Sequence, residues 1–244
     1  MGNFDIISSL AIIVLAGLIH ASFQTSASVL TLLSGHALSS KTAHLRLLRL
    51  TGSFIIGTIT FSILLLSSLA FLLTNLFPTS TPLIIWAISS GAVAGVGLSV
   101  WLFYYRRQQG TVLWLPRSFA TYLRSRAKST KQPAEAFTLG MTSTMSELLF
   151  LLAPLVITAL VLIRLEPTLQ LLGVALYAII ASLPLAIIYI LIGGGHTIAR
   201  IQRWRENNKR FLQFAAGSGL IILGLFVYIE RVITYSVRSG GFGA

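Results

Sequence analysis

The stretch Gly140-Met-Thr-Ser-Thr-Met-Ser-Glu147-Leu-Leu-Phe-Leu-Leu-Ala-Pro154 decides how this chain is interpreted. It puts a carboxylate, four hydroxyls and a proline inside an apolar run, Ala136 to Ile163, that is long enough to cross a bilayer. Glu147 is the only acidic residue in the interior of such a run. A charge at the bilayer centre costs about 2.5–3.5 kcal/mol or more, so Glu147 is a candidate functional residue.

The composition is that of a membrane protein. Of 244 residues, 55% are hydrophobic and 10% are charged, whereas soluble domains carry about 25% charged residues. The net charge of +12 is assigned to basic cytoplasmic loops rather than to nucleic-acid binding. The absence of cysteine excludes disulfides, thiolate metal sites and dithiol electron relays. We expect neither a metal site nor a cofactor.

Charge alternates between the connections of the predicted membrane spans. Connections 36–49, 106–135 and 193–210 are basic and are predicted to face the cytoplasm, which leaves both termini outside. Glu230 and Arg231, near the outer end of the last span, are expected to pair with solvent or with each other's neighbours. The six predicted spans are Phe4–Ser34, Leu50–Phe77, Pro82–Tyr105, Ala136–Ile163, Leu169–Ile192 and Phe211–Val237.

The long third connection contains a helical pattern of apolar residues. Leu115, Phe119, Tyr122 and Leu123 recur at i, i+4, i+7 and i+8, among basic residues. This spacing predicts an amphipathic helix on the cytoplasmic leaflet, with its apolar face in the bilayer and its charges near anionic lipid. An ordinary solvated loop is the alternative.

An internal repeat relates the two halves of the chain. Superposing Gly17 on Gly140 puts Gln24 on Glu147, and both stretches are polar patches inside apolar spans. Each half holds three spans, an odd number, so the halves must lie in the membrane with opposite topology. Inverted repeats of this kind are typical of secondary transporters, whose substrate site lies near the midplane between the repeats.

The predicted fold is an all-α polytopic membrane protein with six transmembrane helices. Residues 1–105 form the first three-span repeat, 106–135 the basic cytoplasmic loop with its interfacial helix, and 136–244 the second repeat. The first and fourth spans are predicted to be broken in mid-membrane, since broken spans expose backbone groups to a cavity.

The two polar patches are predicted to meet and form one site. Glu147 would neutralise a cationic solute or carry a coupling proton; a protonated acid with a structural hydrogen bond is the alternative. His20 could instead bond to a neighbouring carbonyl. Gly17, Gly140, Pro154 and Pro184 are the predicted helix breaks or hinges. The predicted substrate- or ion-binding residues are Glu147, Gln24, His20, Ser143, Thr144 and Thr25.

The chain resembles the lysine-exporter superfamily. Six predicted spans, polar first and fourth spans, and a basic fifth loop leading into Phe211-Leu-Gln-Phe-Ala-Ala-Gly217 carry the resemblance. The cytochrome c biogenesis electron carriers in that group place a cysteine in each of the first and fourth spans, and this chain has none. Its metal exporters have a His-rich first span, and here His20 lacks the following Pro-Asp-His. The resemblance implies export of a small solute across a prokaryotic cytoplasmic membrane.

We therefore expect a secondary active exporter of a small polar or cationic solute, with the bilayer and that solute as its partners. No His-Glu-x-x-His, Gly-x-Ser-x-Gly or paired carboxylates are present, so we expect no enzymatic activity. A non-transporting membrane scaffold or assembly factor is the alternative.

Overall fold

The computed structural model describes residues 3–23, 29–30, 33, 41–103, 117–194, 203–204, 207–234 and 237. All regular secondary structure in these ranges is helical. The elements are α1 Asn3–Ser22, α2 Lys41–Leu76, α3 Leu83–Phe103, α4 Arg117–Ser129, α5 Pro133–Met145, α6 Leu148–Leu162, α7 Pro167–Gly193 and α8 Lys209–Val227, followed by a terminal π-helix, Tyr228–Ile233.

The helices confirm an all-helical protein with several membrane spans. Four described segments, in α2, α3, α7 and α8 with the π-helix, are long and apolar enough to cross a bilayer. The pair α5 and α6 makes a fifth span if it is counted as one, although the pair is bent by 88°. The apolar part of α1, Ile6–Ser22, is shorter than these. The predicted first span continues over residues 24–28, outside the described ranges, so the sixth span stays a prediction.

Hydrogen bonds made by two arginines near helix ends define the two ends of the helix bundle. At one end, Arg164 donates from Nη1 to the carbonyl oxygen of Thr79 (2.9 Å) and from Nε to Oγ1 of Thr81 (3.1 Å). At the other end, Arg46 Nη2 donates to the carbonyl oxygen of Lys131 (3.1 Å). We call the first the amino-terminal face, because α1 starts there, and the second the basic face. The strongly basic connections 36–49 and 106–135 thus meet at one end, and the second and fourth connections meet at the other.

The predicted amphipathic helix of the basic connection is present as α4. Leu123 and Ala127, one turn apart, are buried in a cluster with side chains of α2, α5 and α7. Tyr122 is exposed and Phe119 is half-buried, while Leu115 lies outside the described ranges. The expectation that Leu123 faces lipid is therefore wrong, because α4 packs against the bundle and Leu123 contacts side chains of the protein.

Glycines allow α3 and α8 to approach to backbone contact. A Cβ atom placed on Gly97 would lie 2.8 Å from the carbonyl oxygen of Gly217 and 2.9 Å from Cβ of Leu220. Next to this contact, the indole of Trp101 stacks on Phe214 with ring centres 5.5 Å apart, and its Nε1 donates to the Phe214 carbonyl oxygen. Small residues at such crossings let membrane helices pack closely by van der Waals contact.

We expect Gly97→Ala to destabilise the protein. The added methyl group has to push α3 and α8 apart, and overpacking of this kind costs about 1–3 kcal/mol. Gly95→Ala in the same helix is the matched control, because nothing lies within 4 Å of a Cβ at that position. Thermal unfolding in detergent should show a lower Tm for Gly97→Ala only, and equal Tm values would contradict the glycine contact.

Candidate functional site

The fourth predicted span is broken at Ser146 and Glu147, which form a turn between α5 and α6. The amide of Ser146 donates to the carbonyl oxygens of Ser143 (3.1 Å) and Thr142 (3.3 Å), and the amide of Glu147 donates to Thr144 (3.0 Å). These shorter-range bonds close the last turn of α5, as is common at helix ends. The helix is thus interrupted within the predicted fourth span, and Glu147 lies in the interruption.

Hydroxyl groups next to the break bond back to carbonyl oxygens of their own helix. Ser143 Oγ and Thr144 Oγ1 both donate to the carbonyl oxygen of Gly140, at 2.9 and 3.1 Å, and Ser146 Oγ donates to that of Ser143. Ser143 and Thr144 are buried. Both were predicted to bind a solute, which stays a prediction; in this structure their hydroxyls donate to a carbonyl oxygen of α5 itself.

Three buried polar side chains from separate helices meet at the break. Oε2 of Glu147 lies 3.5 Å from Nε2 of His20, and Nδ1 of His20 lies 2.9 Å from the hydroxyl of Tyr177. The exposed fractions of Glu147, His20 and Tyr177 are 1%, 5% and 0%. The structure thus brings the first and fourth predicted spans together through His20 and Glu147, and adds Tyr177 from α7.

The donors and acceptors available on the three side chains determine which group donates in each contact. If the Tyr177 hydroxyl donates to Nδ1 of His20, the proton of a neutral imidazole is on Nε2 and points toward Glu147. A doubly protonated imidazole also presents Nε2–H to that carboxylate. At 3.5 Å the contact is electrostatic rather than a full hydrogen bond. Glu147 also stands at the start of α6, where the positive end of the helix dipole stabilises a carboxylate.

A small cavity adjoins the three polar groups. The free space in it suffices for little more than a water molecule. Phe23 stacks on Phe150 beside the cavity, with ring centres 5.4 Å apart, and joins the end of α1 to the start of α6. The residues that line the cavity are His20, Ala21, Phe23, Thr58, Glu147, Ala181, Pro184 and Leu185.

Gly17 and Gly140, predicted as helix breaks, lie inside continuous helices and serve another purpose. A Cβ on Gly140 would be 2.1 Å from the carbonyl oxygen of Phe54 in α2. A Cβ on Gly17 would be 3.0 Å from Cγ2 of Ile180 in α7. Both glycines therefore allow a neighbouring helix to pack closely against their own helix. The break in the fourth span comes after Gly140 and does not include it.

The two predicted proline hinges also lie inside helices. Pro154 is in α6 and Pro184 is in α7, and each helix continues past its proline. The carbonyl oxygen of Pro154 accepts a hydrogen bond from Oγ1 of Thr158 (2.8 Å). The bend of this span precedes α6 and so comes from the turn at Glu147, while Pro184 contributes to the cavity wall.

Sequence reasoning anticipated two of the site residues and missed two. Gln24 and Thr25 fall outside the described ranges, so their predicted role stays a prediction. Tyr177 and Thr58 were missed, although each places a hydroxyl group within an apolar span. Thr58 Oγ1 donates to the Phe54 carbonyl oxygen within α2 and lines the cavity. A search for every hydroxyl inside a predicted span would have found both.

Within the described part of the chain, no three His, Cys, Asp or Glu side chains lie together in a way that could hold a metal ion. Comparison of the chain with protein-family models, with curated proteins and with solved structures found no match.

We expect Glu147 and His20 to stabilise the fold jointly. In a double-mutant cycle of Glu147→Gln and His20→Ala, their interaction energy should be about 0.5–3 kcal/mol, as for buried groups in contact. The measurement is the free energy of unfolding of the full chain in detergent. The control is a second cycle that combines Glu147→Gln with Arg164→Gln at the amino-terminal face. The two changes in unfolding free energy should add within about 0.5 kcal/mol. Additive effects for Glu147 and His20 would contradict their coupling.

Proposed function

We propose that the chain is a secondary active transporter of a small polar or cationic solute. The observation that carries the proposal is the buried contact of Glu147 with His20, whose other ring nitrogen bonds to Tyr177, at the turn between α5 and α6. Placing an ionisable group inside a membrane span costs free energy, and in membrane proteins such groups mark ion pathways and substrate sites. A broken span is the usual way to expose backbone groups to a transported solute.

The proposal of two inverted repeats is supported by a pair of matching contacts. Gly17 of α1 approaches the carbonyl oxygen of Tyr177 in α7, and Gly140 of α5 approaches the carbonyl oxygen of Phe54 in α2. The number of positions from Gly17 to Gly140 equals the number from Phe54 to Tyr177. Exchanging the two halves of the chain therefore converts one contact into the other. The packing of α3 on α8 agrees with this, because the third and sixth spans would then exchange places.

In this proposal Glu147 and His20 carry the charge that changes during transport. The Glu147 carboxylate can exchange its contact with the His20 imidazole for a contact with a cation, or it can accept a proton. Either event changes the electrostatic attraction between His20 of α1 and Glu147 at the turn before α6. Tyr177 orients the imidazole from the opposite side. The present arrangement would be a state without bound solute, since the cavity beside the three groups has little free space.

The resemblance to the lysine-exporter superfamily is part of the same proposal. It implies export rather than uptake, and a prokaryotic cytoplasmic membrane with the basic face inside. The Arg46 contact at that face and the basic side chains of α4 support this orientation, because positive charge is enriched on the cytoplasmic side.

A membrane scaffold or assembly factor is the second candidate. The small volume of the cavity favours it, because a scaffold needs a stable buried polar cluster and no passage for a solute. In that case the Glu147–His20 contact would hold the ends of α1 and α6 in register, as buried polar groups do in some packed helices.

We expect wild-type protein in liposomes to move at least one small cation or amine, and Glu147→Gln to reduce that flux to the level of protein-free liposomes. The loss follows because glutamine neither carries the negative charge nor takes up a proton. Uptake of labelled Na⁺, methylammonium and lysine, with internal pH followed by a trapped dye, gives both solute and proton movement.

The matched control is Glu166→Gln, the same change at an exposed residue between α6 and α7. Its flux should equal that of the wild type. Wild-type flux that persists in Glu147→Gln would remove Glu147 from the mechanism. No flux of any solute, together with a membrane partner that copurifies in a fixed ratio, would favour the scaffold.

A further inference from the structure

The helix α4 is held against the bundle along one narrow side. Among its described side chains, Leu123 and Ala127 are buried, and they lie one turn apart. Tyr122 and Arg124, on either side of Leu123, are exposed. By comparison, α7 buries residues from Gly173 to Ile192. The contact of α4 with the protein interior is therefore short, and its outer side is already in a polar environment.

The carboxyl end of α4 is fixed to the neighbouring helices by hydrogen bonds. Oε2 of Glu135 accepts from the amides of Lys131 (2.8 Å) and Gln132 (3.2 Å), which ties the short connection to the start of α5. The carbonyl oxygen of Lys131 accepts from Nη2 of Arg46 in α2 (3.1 Å). Because these bonds hold one end, loss of the side contacts would let α4 pivot about residues 130–132 without leaving the protein.

The buried side chains of α4 belong to an apolar cluster that reaches the cavity beside Glu147. In α7 this cluster contains Leu185, which also lines the cavity. It continues through Ile188 and Ile192, one and two turns closer to the end of α7 at the basic face. Leu123 and Ala127 are members of the same cluster. Apolar side chains in mutual contact thus connect the cavity wall with α4.

The contribution of α2 to the cluster follows the same direction. Phe54 precedes the cavity residue Thr58 by one turn, and Leu50 and Leu47 lie closer to the start of α2 at the basic face. Thr58 and Leu47 are separated by a helix rise of about 17 Å. This length of the bundle is filled by apolar side chains, and an apolar constriction excludes water and hydrated solutes.

We propose that α4 is the gate between the basic face and the cavity beside Glu147. A pivot of α4 about residues 130–132 withdraws Leu123 and Ala127 from the apolar cluster and opens its outer end to water. Helices and loops that cover a site by a small contact commonly control access to it. The inference rests on the proposed function, since a gate requires a solute to admit, but its test measures access to the cavity and not transport.

A single thiol in the cavity reports whether the path from the basic face is open. The chain contains no cysteine, so Thr58→Cys introduces one thiol only, at a buried position that lines the cavity. The reagent is 2-(trimethylammonium)ethyl methanethiosulfonate, a water-soluble cation that forms a disulfide with an accessible thiol. Mass spectrometry of the intact full-length chain in nonionic detergent gives the rate of modification.

We expect Leu123→Asp to accelerate modification of the Thr58→Cys thiol by about tenfold or more, because a carboxylate in an apolar cluster favours the displaced position of α4. Tyr122→Asp is the matched control, since it makes the same change at the neighbouring, exposed residue. Its rate should equal that of Thr58→Cys alone. An unchanged rate in Leu123→Asp would overturn the gate.

A second thiol separates movement of α4 from general loosening of the bundle. Thr158 is buried in α6, on the side of Glu147 toward the amino-terminal face, and its Oγ1 bonds to the carbonyl oxygen four residues earlier, as that of Thr58 does. In the Leu123→Asp background, the Thr158→Cys thiol should remain as slow as in Thr158→Cys alone. Equal acceleration of both thiols would show that Leu123 stabilises the whole bundle, and this result would overturn the gate.

A milder change keeps the test decisive if Leu123→Asp does not fold. Leu123→Ala removes most of the side-chain contact without adding charge, and it must then accelerate Thr58→Cys but not Thr158→Cys. No acceleration overturns the gate. Failure of the gate and failure of the transport proposal are distinguishable. Flux without acceleration removes only α4 from the mechanism, whereas acceleration without flux of any tested solute overturns transport and leaves the movement of α4 established.

Discussion

The hydrogen bonds that end α5 are the constraint on which the site depends. A helix that stops inside apolar surroundings leaves backbone groups without partners, and each unsatisfied group costs several kcal/mol in a membrane. Here the amides of Ser146 and Glu147 and the hydroxyl of Ser146 donate to carbonyl oxygens of the last turn of α5. The hydroxyls of Ser143 and Thr144 donate to the Gly140 carbonyl oxygen, one turn earlier in the same helix. Because the helix end is satisfied by these local bonds, the side chain of Glu147 is not needed to cap it and lies against His20 of α1.

Two helix ends meet at that point, and their electrostatics are complementary. His20 lies in the last turn of α1, where the helix dipole favours positive charge, and Glu147 lies at the start of α6, where it favours negative charge. The parallel neighbours α7 and α2 hold these ends in place through the close approaches at Gly17 and Gly140. The polar contact is thus built from backbone packing as much as from the side chains themselves.

The sequence predicted the helical class, the break in the fourth span and the helix of the basic connection, because composition and periodicity report these directly. It also predicted that His20 and Glu147 share a site, since ionisable residues inside apolar runs face the interior of a helix bundle and pair with one another. Tyr177 was missed because a phenol is common in apolar spans and only its neighbours give it a role. The burial of Leu123 was missed for a related reason: periodicity identifies an apolar face, but it does not say whether lipid or protein covers it.

The stacked contact of Trp101 on Phe214 has a practical consequence. Its indole lies across the junction of α3 and α8, helices that belong to different halves of the chain, and Nε1 is bonded to the backbone of the other half. Tryptophan emission depends on ring stacking and on the polarity around the indole N–H. Once the other three tryptophans, Trp86, Trp114 and Trp204, are replaced, the emission of Trp101 reports whether the two halves separate, without a label on a protein that contains no cysteine.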